Sequence, residues 1–228
     1  MPPERPALPR ELVETGVVAI ARAAATTRVA AAVETLIEAG VCCIELTLTM
    51  PGAVASIETL VRELGDRACI GAGTVLTAEQ ARACIGAGAA FLVAPSAVPD
   101  VVAVALEAGV PCLPGALSPS EVVAAWQSGA SAVKLFPASV GGVKYLRDLR
   151  APLPDNALIP TGGIAIDDIA GYVAAGAVAV GVGGPLFADA LDPGGPGGPG
   201  DLGALAARAA RALGAVREGR LLRAERSA

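Results

Sequence analysis

The stretch Glu38-Ala-Gly-Val-Cys-Cys-Ile-Glu-Leu-Thr47 reads as the end of a helix, a glycine, and then a strand. A glycine past the last helical turn takes the left-handed conformation that closes a helix. Val41–Leu46 is the β-rich run that follows at once. The same punctuation returns as Gly-Ala-Gly-Ala at 86–89, Glu-Ala-Gly-Val at 107–110, Ser-Gly-Ala at 128–130 and Ala-Ala-Gly-Ala at 174–177. Working outward from these marks, the β-rich runs are Val17–Ala21, Val41–Leu46, Cys69–Ala72, Phe91–Ala94, Val110–Pro114, Ala132–Leu135, Leu158–Thr161 and Ala177–Val182. Helix-compatible stretches such as Thr27–Ala39, Ala53–Leu64, Ala78–Ala87 and Pro119–Ser128 lie between them, with Thr77, Ser118 and Asp167 (or a near neighbour) as N-caps. Strands alternating with helices imply parallel βαβ units. Eight of them, without a GxGxxG fingerprint at the turn from a β-rich run into a helix, favour a closed (β/α)8 TIM barrel over an open doubly wound sheet.

Composition agrees with one domain spanning residues 1–228. Of the 228 residues, 54% are hydrophobic, enough to fill a large core. Within that domain we expect a short helix in about 1–15, a flexible Gly/Pro loop at 192–200 and a closing helix over 201–224. The net charge of −5 gives no phosphate-tracking surface, so no nucleic acid is expected as a partner. The N-terminus lacks the apolar core of a signal peptide. The uncharged stretch Ile169–Phe187 is broken by glycines and Pro185, so no membrane span is expected either. Five cysteines without a CxxC pair read as reduced, apolar filler in a cytoplasmic protein. Histidine is absent altogether, which removes the commonest general base and the commonest zinc ligand. No metal and no cofactor are expected.

In such a barrel, chemistry gathers at the C-terminal ends of strands. Polar residues there are Arg22, Glu45, Thr47, Thr49, Thr74 and Lys134, with glycines 162, 163, 181, 183 and 184. Only two lysines exist, Lys134 and Lys144. Lys144 follows two glycines at a helix start, where a solvated side chain is expected. Lys134, in Ser131-Ala-Val-Lys-Leu-Phe-Pro137, has apolar neighbours in a chain that otherwise uses arginine. Arginine cannot serve as an amine nucleophile, whereas a desolvated lysine can lose its proton and attack a carbonyl. Glu45 interrupts an apolar strand; it is either a carboxylate merely paired with Arg22 or Lys134, or the acid/base that faces Lys134 from another even-numbered strand. Arg22 suits a bidentate carboxylate contact, and Thr74 adds a hydroxyl. The turns Pro160-Thr-Gly-Gly-Ile164 and Gly181-Val-Gly-Gly184 offer backbone N–H groups for phosphate. Thr49, Pro95 and Phe136 are expected to line the pocket.

The chain resembles the 2-keto-3-deoxy-6-phosphogluconate (KDPG) aldolases, a family that includes 4-hydroxy-2-oxoglutarate and 6-phosphogalactonate aldolases. The resemblance runs from about Leu12 to about Phe187. It is carried by Ala19-Ile-Ala-Arg-Ala, Ile44-Glu-Leu-Thr, Gly71-Ala-Gly-Thr-Val, Pro114-Gly, Val133-Lys-Leu-Phe-Pro and Pro160-Thr-Gly-Gly. It implies a metal-free class I aldolase acting on a small 2-keto acid, with Lys134 as Schiff-base former and Glu45 as general acid/base. It further implies that Arg22 and Thr74 hold the substrate carboxylate, that Gly162, Gly163, Gly183 and Gly184 bind phosphate, and that the assembly is a homotrimer. Two departures stand out: Thr49 occupies a place where some members carry arginine, and Gly184 one where many carry serine. The competing readings are another phosphate-binding barrel enzyme, an isomerase or epimerase, and a barrel that only binds sugar phosphates.

Overall fold

A computed structural model describes residues 5–194 and 200–227. It is an α/β fold of parallel strands: β1 (Val17–Ala21), β2 (Cys43–Thr47), β3 (Cys69–Gly73), β4 (Leu92–Val93), β5 (Cys112–Leu113), β6 (Gly115–Ala116), β7 (Val133–Leu135), β8 (Leu158–Pro160) and β9 (Val180–Val182). They form a six-stranded sheet, β5-β4-β3-β2-β1-β9, and a three-stranded sheet, β6-β7-β8. The single run expected over 110–114 is thus replaced by two short strands on either side of Pro114. A proline has no N–H to give to a ladder.

Helices follow the strands: α1 (Arg10–Thr15), α2 (Val29–Glu38), α3 (Ala53–Leu64), α4 (Ala78–Gly86), α5 (Pro99–Glu107), α6 (Pro119–Gln127), α7 (Gly142–Arg150), α8 (Ile169–Ala174), α9 (Gly184–Phe187) and α10 (Leu202–Ser227). The glycines that close five of them, Gly40, Gly88, Gly109, Gly129 and Gly176, have φ between 67 and 100°. Thr77 accepts from Gln80 N at 3.1 Å. Ser118 forms a full capping box with Glu121, each end satisfying an orphan donor of the first turn. Hydrogen bonds from the backbone N–H groups of Ser118 and Leu117 hold the Glu121 carboxyl below its ordinary range. Asp167 does not cap: it lies in a 3₁₀ turn and pairs with Arg211 of α10 at 2.6 Å. At the N-terminus only Arg10–Thr15 is helical. The middle of the expected Gly/Pro loop, residues 195–199, lies outside the described residues.

Alternation along the strands separates two cores. Val17, Ala19, Ala21, Ile44 and Leu46 face the helices. Val18, Ile20, Cys43, Cys69, Phe91, Val93, Leu113 and Ile159 form a second cluster on the other face, plugged by Leu12 from α1. Strands buried on both faces explain why the runs read as continuously apolar. The stretch Ile169–Phe187 is α8, β9 and α9, and no described helix is long and apolar enough to cross a membrane. All five cysteines are free, and four are buried. Burial pushes the Cys84 thiol to about 11 and the Cys112 thiol to about 12.

Candidate active site

Two charged residues are buried among those described, Glu45 at 2% and Lys134 at 6% exposure. Lys134 lies in β7, between Gly115 of β6 and Ile159 of β8. Glu45 lies in β2, between Ile20 of β1 and Gly71 of β3. Both side chains turn to the strand-enclosed face, where they line one small space with Val18, Val93, Leu113, Ile159, Thr161 and Gly181. Neither makes a hydrogen bond among the described residues. Their polar ends border open space instead of a protein partner, which leaves both groups available to a bound molecule. Burial raises the Glu45 carboxyl above 4.5, while the charges of Lys134 and then Arg22 pull it back down. The Lys134 ammonium position is 5.1 Å from the centre of the Phe136 ring.

The glycines of Gly71-Ala-Gly-Thr74 now have a reason. A β-carbon on Gly73 would overlap the Glu45 carboxylate, and one on Gly71 would enter the Phe91 ring. Glycine on the inward face of β3 is what leaves room for the acid. Thr74, at the strand's end, has φ 61°, a strained setting for a β-branched residue and one that clusters at functional sites.

Above Lys134 opens a cavity of about 250 Å³ lined by Ile20, Arg22, Lys134, Phe136, Thr161, Gly162, Gly163, Ile164, Gly181, Gly183, Gly184, Pro185, Phe187 and Ala188. Arg22 is exposed at its mouth and makes no hydrogen bond or ion pair among the described residues. The N–H groups of Gly162, Gly163, Gly183 and Gly184 find no acceptor there either. Four backbone N–H groups without an acceptor and one unpaired guanidinium therefore belong to residues that line a single space, a setting for an anion. Thr49, Thr74 and Pro95 stand outside this cavity's lining. Thr49 is exposed, its hydroxyl 3.0 Å from that of Thr47. The Pro95 carbonyl instead lies where a β-carbon on Gly115 would be. Thr161, which lines both spaces and was not singled out from the sequence, is buried, and its hydroxyl donates to Ile159 O at 3.3 Å. Its inward position two residues after Ile159 was the available signal. Lys144 is solvated and paired with Asp148 at 2.6 Å.

The sequence profile described as KDPG and KHG aldolase matches residues 9–192. The chain belongs to the KDPG and KHG aldolase family. A 2-dehydro-3-deoxy-6-phosphogalactonate aldolase of Escherichia coli (strain K12) is 35% identical over 171 residues, 75% of this chain and 83% of that one. A 2-dehydro-3-deoxy-phosphogluconate aldolase of Treponema pallidum (strain Nichols) is 41% identical over 140 residues, 61% of this chain and 66% of that one. A solved structure described as native KDPGal superposes with a TM-score of 0.81 at 32% identity, covering 90% of this chain and 96% of its own. This aldolase is accordingly a lyase, which sets aside the isomerase, epimerase and binding-only readings.

Proposed function

We propose that this aldolase cleaves a 2-keto-3-deoxy-6-phospho sugar acid to pyruvate and glyceraldehyde 3-phosphate through a Schiff base on Lys134, and also accepts 4-hydroxy-2-oxoglutarate. The observation that carries the reading is the pairing of one buried amine with one buried carboxylate, neither hydrogen-bonded, in a common space. Lys134 Nζ adds to C2 of the 2-keto acid, and loss of water from the carbinolamine gives an iminium. The C3–C4 bond breaks with its electron pair drawn into the iminium. The C4 hydroxyl proton passes to Glu45, directly or through a water, as the aldehyde leaves. Glu45 returns a proton to C3 of the enamine, and hydrolysis releases pyruvate. Arg22 and Thr74 hold the substrate carboxylate, and the Gly162-Gly163 and Gly183-Gly184 turns receive the phosphate.

Pyruvate with borohydride tests the central step. One reduced pyruvyl group is expected on Lys134; Lys134→Arg abolishes the label and Lys144→Arg does not. A label on Lys144, or on neither lysine, refutes the assignment.

We also infer that the two sheets are parts of one closed (β/α)8 barrel and that the chain is a single domain. A parallel bridge between Thr161 and Gly181 supports one seam, and the passage of the chain through Pro114 from β5 to β6 supports the other. A homotrimer in the cytoplasm is the accompanying expectation, with sedimentation as its check; five free thiols fit a reducing compartment.

A further inference from the structure

One wall of the cavity is held in a conformation its own residues resist. Ala188, which lines the cavity, has φ 47° and ψ −113°. An L-residue with a β-carbon stays in such a region only where its surroundings impose it. Two arginines outside the cavity grip the backbone on either side of it. Arg208, on α10, donates from Nε to Leu186 O at 2.6 Å and from Nη2 to Phe187 O at 3.0 Å. Arg28, just before α2, donates from Nε to Ala190 O at 3.1 Å and from Nη2 to Gly200 O at 2.8 Å. Arg208 is itself fixed, since Leu205 and Ala209 on the same helix are fully buried. The start of α10 is tied to this segment as well: Gly200 lies so close to Asp189 O that a β-carbon there would overlap it.

We propose that Arg208 and Arg28 are positioning residues for substrate phosphate. By fixing the carbonyls that precede and follow Ala188, they set the Gly183–Ala188 wall against which the phosphate seats. The inference rests on the reading above that Gly183 and Gly184 receive that phosphate. An arginine is required because its planar fork meets two neighbouring carbonyls at once, which a lysine's single ammonium does not. Arg208 lies on α10, beyond the residues 9–192 that match the family profile.

The test measures kcat and KM with a 6-phosphorylated 2-keto-3-deoxy acid and with 4-hydroxy-2-oxoglutarate. Arg208→Ala is expected to raise KM for the phosphorylated substrate by roughly tenfold, the scale of one strained backbone residue. Its kcat, its KM for 4-hydroxy-2-oxoglutarate and the borohydride label at Lys134 stay within about twofold of native, as expected where the lost interaction is uniform binding. Removing the opposing β-carbon should make the brace less necessary, so Arg208→Ala costs about twofold or less when introduced beside Ala188→Gly. Should Arg208→Ala fail to fold, Arg208→Lys and Arg28→Ala each leave one brace in place and must show the same split. Equal losses on both substrates, a loss through kcat, no change, or an effect undiminished beside Ala188→Gly overturns the proposal. The native protein separates the two levels. Without a preference for the phosphorylated substrate, the phosphate reading falls and takes this inference with it; with that preference and no split in the variants, only this inference falls.

Discussion

Gly73→Ala offers a direct test of where the Glu45 carboxylate sits. Gly73 does not have a positive φ, so alanine brings no backbone strain and the whole effect is the collision of its methyl with Glu45. The obstacle is the far end of a side chain, which can swing. It has little room to do so: Glu45 is 2% exposed, and the space beside it holds about 10 Å³. A single methyl forced into a packed core costs about 1–3 kcal/mol. For a chain of this size each kcal/mol lowers Tm by about 2–4 °C, so a fall of about 2–12 °C is expected. Displacing the proposed acid/base should also cut turnover toward the roughly 10²–10⁴-fold loss typical of removing such a group.

Thermal melts and pyruvate release, coupled to lactate dehydrogenase, read the two effects separately. Gly184→Ala is the control, because a β-carbon there meets nothing within 4 Å, and its Tm should not move. In a Glu45→Ser background the obstacle is gone, and Gly73→Ala should then lose most of its thermal cost. If the cost is the same with or without Glu45, or if Gly73→Ala turns over at the native rate, the reasoning is refuted.

Three other outcomes are expected. In the proposed mechanism Glu45 acts in its ionised form, and burial raises its carboxyl, so the acid limb of kcat/KM against pH should lie above 4.5; Glu45→Gln should remove that limb while still permitting a borohydride label at Lys134. Chelators should leave turnover intact, because the iminium is the electron sink and the chain contains no histidine; activity lost to EDTA and restored by a divalent ion contradicts this. Gly184→Ser has open space for its side chain, and an added hydrogen bond to a charged group, worth about 1.5–3 kcal/mol, should improve kcat/KM on the phosphorylated substrate by about ten- to a hundredfold; no gain means that the hydroxyl does not reach.

What could be read in the sequence was local. Helix-closing glycines such as Gly40 and Gly109 carry their reason in the residue type, and Thr77 and Ser118 cap the helices that follow them. Glu45 and Lys134 were legible because a charge inside an apolar strand is anomalous wherever the strand goes. Asp167 looked like a cap but found a distant partner, Arg211, 44 residues on. The break at Pro114 depends on which neighbouring strand wanted an N–H from that position. Thr49 and Pro95 follow strand ends as Arg22 does, yet the cavity opens toward the β7–β9 side and leaves them out. Arg208 and Arg28 bond only to backbone carbonyls across 21 to 172 residues, and no residue type at the receiving end could have announced them.

The electrostatics of the site also bear on the timing of proton transfer. In the proposed mechanism the base is the Glu45 carboxylate, which is pushed up by burial and pulled down by Lys134 and Arg22. Once the substrate carboxylate pairs with Arg22, part of that downward pull is neutralised. Glu45 then holds a proton more strongly than in the free enzyme, at the stage when it must take one from the C4 hydroxyl. Anion binding and base strength are coupled through one guanidinium. Arg22→Gln removes the same pull permanently, so the acid limb of kcat/KM, which reports the free enzyme, should move to higher pH than in the native protein. Because Arg22 is exposed and its field is screened by salt, the native limb should itself rise when ionic strength is increased, while the limb of Arg22→Gln stays nearly fixed. A limb that Arg22→Gln leaves where it was, with KM alone raised, would mean that Arg22 only binds the anion and that burial and Lys134 set the proton affinity of Glu45 by themselves.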